Sequence, residues 1–277
     1  MTIPQRNISL IANKITTAGG SRIPESVIER DYVLAWFLTC LAGHGLRDCL
    51  AFKGGTALRR CWIEDYRFSE DLDFTLTKAI ALDDILAGFG EIYRAVEAAS
   101  GVQFAFDRKA RRQGRNSQTF YLRYQGPLPA PNDVKVDITI SEVLCFSLEE
   151  RPILRQFQEF DDLPEGPRVL SYSLEEVVVE KIEALSKPAR NEPRDLYDLW
   201  YLLHHYDFWL PELRPKLEAK FEFRNRPTEN ILQNIERKEE RLRLLWLQRL
   251  AQQVSDLPPY DRVFREVKRA LRDCEPT

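Results

Sequence analysis

The chain has 277 residues, of which 44% are hydrophobic, 30% charged and 11% aromatic. That length can bury a substantial core, the apolar content excludes a disordered chain, and 12 Gly with 16 Pro exclude a collagen-like one. Forty basic residues against forty-three acidic ones give a net charge of -3, which excludes a histone-like binder driven by bulk charge.

In chain order, the first fifty residues read as helical. Pro24 and Glu25 open a segment in which Val27, Ile28, Tyr32, Val33, Trp36, Phe37 and Leu41 recur at three- and four-residue steps, and Gly43 and Gly45 close it. Leu50-Ala51-Phe52 then runs into Lys53-Gly54-Gly55-Thr56 and a short helix. Asp71 to Leu76 alternates strictly and reads as a strand; 80–100 reads as a helix. Two β segments, 102–106 and 119–124, flank a basic hairpin or loop, and Val134 to Ile140 is the cleanest strand, with four β-branched residues on one face. The stretch from Asp161 to Pro167 is the best boundary, suggesting units of 1–165 and 166–277. Beyond it the pattern is helical over 174–186, 194–206, 211–221, 228–254 and 260–273.

No apolar run is long enough to cross a bilayer, and MTIPQRNISLIANK lacks a basic flank leading into an apolar core. A cytoplasmic protein with no membrane partner is expected. Cys40, Cys49, Cys61, Cys145 and Cys274 are scattered with no C-x-x-C pair, and His44, His204 and His205 form no zinc spacing. Metal chemistry here must use oxygen ligands.

Such oxygens are present. Asp71 and Asp73 sit two apart on a strand, so both carboxylates leave the same face while Leu72, Phe74 and Leu76 leave the other. Adjacent ionised carboxylates repel, and a divalent cation between them relieves the repulsion. Asp137 repeats the pattern: Val134, Val136, Ile138 and Ile140 bury one face and leave Lys135, Asp137 and Thr139 on the other. Were the two strands neighbours, three carboxylates would converge with the hard-oxygen character that Mg²⁺ needs. Taken alone, D-x-D is most often the wet face of an edge strand. Upstream, Gly54-Gly55 lets backbone N–H groups approach a phosphate, though a bare tight turn is the simpler reading. Together the two motifs are much more specific.

KGGTALRR followed by RFSEDLDF resembles the signature of the AbiEii/AbiGii-type, MenT-like nucleotidyltransferase toxins, a branch of the DNA polymerase β-like nucleotidyltransferase superfamily. That resemblance implies an α/β (α+β) nucleotidyltransferase fold, with a small mixed sheet and a helical C-terminal domain completing the active site. It places Asp71, Asp73 and Asp137 at Mg²⁺ and Lys53, Gly54, Gly55, Thr56 and Ser69 at the nucleotide. The interval from Thr56 to Asp71 is longer than the superfamily norm, and Thr replaces the commoner Ser.

Further on, Ser173 and Glu176 form a capping box that starts a helix bearing Lys181 beside its apolar face. Pro193 opens the next helix, where Asp195 and Asp198 share a face. Salt bridges to Lys181 or Arg190 account for both carboxylates. VEKIEALSKPARNEPRDLYDLW is also similar to the family's second block, which implies that Lys181 contacts the nucleotide phosphates and that one of Asp195 and Asp198 orients that lysine or the nucleotide.

Arg108, Lys109, Arg111, Arg112 and Arg115 crowd one segment, either a solvated hairpin tip or a grip for a phosphodiester backbone. Arg237, Lys238, Arg241 and Arg243, interleaved with Glu236, Glu239 and Glu240, read as ordinary helix salt bridging. The resemblance implies an NTP substrate, transfer of NMP to the tRNA 3′ end with loss of aminoacylation, and a separate antitoxin protein. Two other classes stay open: a nucleotidyltransferase that modifies proteins, and a non-catalytic nucleotide- or RNA-binding module.

Overall fold

The computed structural model describes residues 2–109, 114 and 116–272. They divide into two compact units, the first made of Met1–Glu142, Leu148–Tyr172 and Gln252–Ser255, the second of Val143–Ser147, Ser173–Ala251 and Asp256–Thr277.

The first unit is built on one seven-stranded sheet. Its strands are β1 (Leu50–Lys53), β2 (Leu72–Leu76), β3 (Gln103–Lys109), β4 (Ser117–Gln125), β5 (Asn132–Thr139), β6 (Glu149–Pro152) and β7 (Arg168–Ser171), in spatial order β3-β4-β5-β2-β1-β7-β6. The pairs β2–β5 and β1–β7 are parallel and the others antiparallel, so the sheet is mixed. Strands β6 and β7 lie where no alternation marks them: both are four residues long and run along one edge.

Helices α1 (Gln5–Thr17), α2 (Glu25–Ala42) and α4 (Leu82–Ser100) belong to this unit. As the periodicity predicts, Pro24 precedes α2 and Gly43 caps its end, while Gly101, at φ +79°, ends α4. Helix residues Ile28, Phe37, Leu41, Phe89 and Ile92 share one apolar cluster with Phe52, Phe74, Phe120, Val136 and Ile138 of the sheet. Apolar burial therefore claims one face of β1, β2, β4 and β5 and leaves the opposite face to polar side chains.

Between β1 and β2 the chain forms α3 (Gly54–Ala57), which continues as a π-helical turn over Leu58–Trp62. Arg59 and Arg60 of that turn are both buried, as is Asp31 on α2. Arg59 grips Asp31 with two hydrogen bonds of 2.8 Å, and Arg60 reaches the same carboxylate at 2.6 Å. A third nitrogen of Arg59 donates to the Tyr66 carbonyl, and its guanidinium lies 4.0 Å from the Phe68 ring. One buried side chain thus ties α2, the turn after β1 and the segment leading to Asp71.

The second unit is helical: α5 (Leu174–Ser186), α6 (Pro193–His205), α7 (Leu210–Phe223), α8 (Ile231–Glu236), α9 (Glu239–Leu250) and α10 (Tyr260–Arg272). Ser173 caps α5 by accepting from the Glu176 N–H at 3.2 Å. Glu176 does not return the bond; its carboxylate takes the Cys145 and Phe146 N–H groups and the buried Lys220 ammonium. The single helix expected over 228–254 is in fact two. It breaks at Lys238, whose buried ammonium bonds the Leu185, Lys187 and Arg190 carbonyls at the end of α5. Lys238 is therefore a buried cap, not a member of a solvated salt-bridge face, whereas Arg243 does pair with Glu239 and Asp261. No helix among the described residues is long and apolar enough to cross a membrane.

Burial works against the Asp31 charge, but the Arg59 and Arg60 guanidiniums hold its carboxyl below the usual range. Its contribution to stability is complete above the ordinary carboxylate pKa and disappears as pH falls below about 4. Asp31→Asn strands two buried guanidiniums and should cost about 3–5 kcal/mol in urea unfolding at pH 7. Below pH 4 the gap between variant and wild type should narrow.

Candidate active site

The polar face of the sheet carries a row of side chains set by strand register. Lys53 pairs with Asp73, Asp73 with Asp137, and Asp137 with Thr119, so β1, β2, β5 and β4 present them side by side. Asp71 immediately precedes β2. All five residues are half-buried. The neighbouring of β2 and β5, a condition the sequence left open, is what sets Asp73 beside Asp137.

Lysines offset these charges. Lys135 lies two residues before Asp137 on the same strand face, with its ammonium 3.5 Å from that carboxylate. Lys53 reaches across β2 to the Thr139 hydroxyl at 2.8 Å and lies 5.6 Å from the Tyr172 ring, whose hydroxyl is 2.6 Å from Thr75. Thr119 donates to Asp137 Oδ1 at 3.2 Å. Burial first, and then the Asp71 charge, push the Asp73 carboxyl up to about 6 against the pull of Lys53 and Lys135. Lys135 is raised: the Asp137, Asp71 and Asp73 carboxylates outweigh the opposing effect of burial.

The glycine turn closes over this row. Gly54 has φ +79°, and a Cβ there would sit 2.6 Å from Asp73 Oδ2, so turn and carboxylate are packed in direct contact. At Gly55 a Cβ would collide with the Arg67 guanidinium and lie 3.1 Å from Ser69 Oγ. Thr56 donates to the Asp71 carbonyl at 2.5 Å, fixing the backbone that carries the first carboxylate. Arg67 is buried, bonded to the Phe68 carbonyl and to Gln253.

Among the described residues, no group of three or more His, Cys, Asp or Glu side chains is gathered into a ready-made metal cage. The donor set nevertheless fits a hard cation. Mg²⁺ is commonly held by one or two carboxylates together with substrate phosphates, and here Asp73 and Asp137 stand in register with a lysine ammonium 3.5 Å from Asp137.

The second unit holds Lys181, Asp195 and Asp198. Lys181 bonds Asp195 at 2.8 Å and Asp198 at 2.6 Å, and Arg190 bonds Asp195 at 2.5 Å. The anticipated salt bridges therefore form, and both aspartates hold one lysine. Burial opposes ionisation of Asp195, but Lys181 and Arg190 keep its carboxyl below the usual range. Of the basic segment, Arg108 pairs with Asp107 and with Asp133 at 3.3 Å and lies 4.4 Å from the Tyr121 ring. Lys109 ends β3, exposed, while Arg111, Arg112 and Arg115 lie outside the described residues. Sequence reasoning assigned no role to Lys135, Thr119 or Arg67. Lys135 and Thr119 follow once β4–β5–β2 register is known, whereas Arg67 needs the packing at Gly55.

Two stability outcomes follow. A carboxyl with a raised folded pKa disfavours folding above that pKa, and the effect vanishes as pH falls toward the unfolded value. In the absence of divalent cations, Asp73→Asn should therefore raise Tm by a few degrees at pH 7.5, with the gain shrinking as pH falls below about 6 and gone below about 4. Gly54→Ala should lower Tm through positive φ and the Asp73 clash, at a cost of about 1–3 kcal/mol. Differential scanning calorimetry reads both.

The model of the family described as nucleotidyl transferase AbiEii toxin, Type IV TA system, matches residues 36–272. No curated protein matches the chain. Among solved structures, MenT4, a nucleotidyltransferase toxin from Mycobacterium tuberculosis H37Rv, superposes with a TM-score of 0.60 at 19% identity, covering 97% of this chain and 99% of that one. This likeness extends to the whole nucleotidyltransferase fold, mixed sheet and helices alike. On the strength of the family match, the chain belongs to the AbiEii nucleotidyltransferase toxin family, within type IV toxin–antitoxin systems.

Proposed function

We propose that the protein is a Mg²⁺-dependent nucleotidyltransferase that moves NMP from an NTP to RNA, the tRNA 3′ end being the acceptor, and so blocks translation. The observation that carries the reading is the register that sets Lys53, Asp73 and Asp137 abreast beneath the Gly54-Gly55 turn. Family membership supplies the reaction class.

In this reading Asp71 and Asp73 hold the cation, with Asp137 beside them. When bound, the cation neutralises charge on the reacting phosphate and its leaving group. Lys53, Gly54, Gly55, Thr56 and Ser69 receive the triphosphate, Lys53 as a cation and the turn through backbone N–H groups. Asp137 is the base available to the attacking hydroxyl, and its Thr119 bond fixes the carboxylate plane. Lys181, oriented by Asp195 and Asp198, is assigned to the nucleotide phosphates. Arg108, Lys109, Arg111, Arg112 and Arg115 are assigned to the RNA backbone. A cognate antitoxin protein is the expected regulator, in the cytoplasm.

The purified protein, incubated with Mg²⁺, total tRNA and each α-³²P-labelled NTP in turn, should label tRNA on a denaturing gel. Asp71→Asn should abolish the label while leaving the circular dichroism unchanged. Label on protein with tRNA left bare would refute the RNA acceptor. Arg111→Ala with Arg112→Ala should weaken tRNA binding and flatten its salt dependence, leaving NTP affinity unchanged. A change confined to NTP affinity would remove the basic segment from the RNA site.

A further inference from the structure

Resting on that reading of the carboxylate face, we propose that Lys135 is its resident counter-ion, which keeps the face from holding a divalent cation until a nucleotide triphosphate arrives with it. The geometry is that of a built-in cation. Lys135 stands two residues before Asp137 on β5, on the same face, with its ammonium 3.5 Å from Asp137 Oδ2. The parallel register places Leu72 beside Val136 and Asp73 beside Asp137, and one step back it carries Asp71 toward Lys135. The ammonium therefore sits against Asp137, with the Asp71 and Asp73 charges near enough to act on it. On the far side of the row, Lys53 pairs in register with Asp73 and is held by Thr139.

Charge counting gives the consequence. Asp71, Asp73 and Asp137 against Lys53 and Lys135 leave one net negative charge on the face. A lone divalent cation overcompensates it and must displace or repel the Lys135 ammonium. A cation arriving with a triphosphate brings its own negative charge, and the displaced ammonium then has phosphate oxygens to meet. Lys135 thereby couples metal loading to nucleotide loading. In the cation-free protein it keeps like charges together.

The test is Mn²⁺ titration by electron paramagnetic resonance at pH 7.5, without nucleotide, on wild type, Lys135→Met and Lys135→Arg. Lys135→Met should bind Mn²⁺ at least about tenfold more tightly than wild type and should have a lower metal-free Tm, and Lys135→Arg should restore weak binding. Lys135→Gln gives the same reading if the methionine variant does not fold. Unchanged or weaker Mn²⁺ binding in both uncharged variants would overturn the proposal. Adding a non-hydrolysable NTP separates this result from failure of the cation site itself: wild type that binds no Mn²⁺ even with nucleotide would take the underlying assignment down.

Discussion

Three carboxylates on one sheet face repel one another and lose hydration, and much of the first unit is arranged to keep them there. Strand register allows no slack, because a one-residue slip of β2 against β5 would turn Asp73 into the apolar cluster and Phe74 into water. Leu72, Phe74, Val136 and Ile138, all buried, fix that register. Apolar packing on one face is thus what holds a charged and locally unfavourable arrangement on the other. Lys53 and Lys135 lower the cost without removing it, as the raised Asp73 carboxyl indicates.

Around that face the supports are buried and ionic. Asp31, Arg59 and Arg60 form a charge cluster inside the unit, and Arg59 extends it to the Tyr66 carbonyl on the way to Asp71. The arginines of KGGTALRR are therefore buried; they anchor the turn whose Gly54 approaches Asp73. From the other end of the sequence, Gln253 bonds Arg67 and the Phe68 N–H, so a four-residue piece of the C-terminal region supports the same segment. Such buried polar pairs specify one geometry, and apolar packing by itself would tolerate several.

Elements with strong alternation or caps were readable in the sequence: the α2 boundaries at Pro24 and Gly43, and strand β5 with its Val134, Val136 and Ile138 face. So was the common facing of Asp73 and Asp137, once the two strands were taken as neighbours. Strands β6 and β7 were not readable, being short and without alternation. The break at Lys238 escaped because a lysine among glutamates looks solvated until three carbonyls are found around it. Lys135 was visible on the polar face, yet its closeness to Asp137 depends on side-chain geometry that composition does not encode. Local patterns marked the longer elements, while short edge strands and long-range polar contacts left no trace in them.

The central claim is that the Asp71, Asp73 and Asp137 face receives a divalent cation together with a nucleotide. Its most direct test is a crystal grown with Mn²⁺ and a non-hydrolysable NTP, measured at the manganese absorption edge. The account predicts an anomalous peak bonded to carboxylate oxygens of Asp71 and Asp73, with the triphosphate against Gly54 and Gly55. A nucleotide bound elsewhere, or a peak with no oxygen from these aspartates, would contradict it.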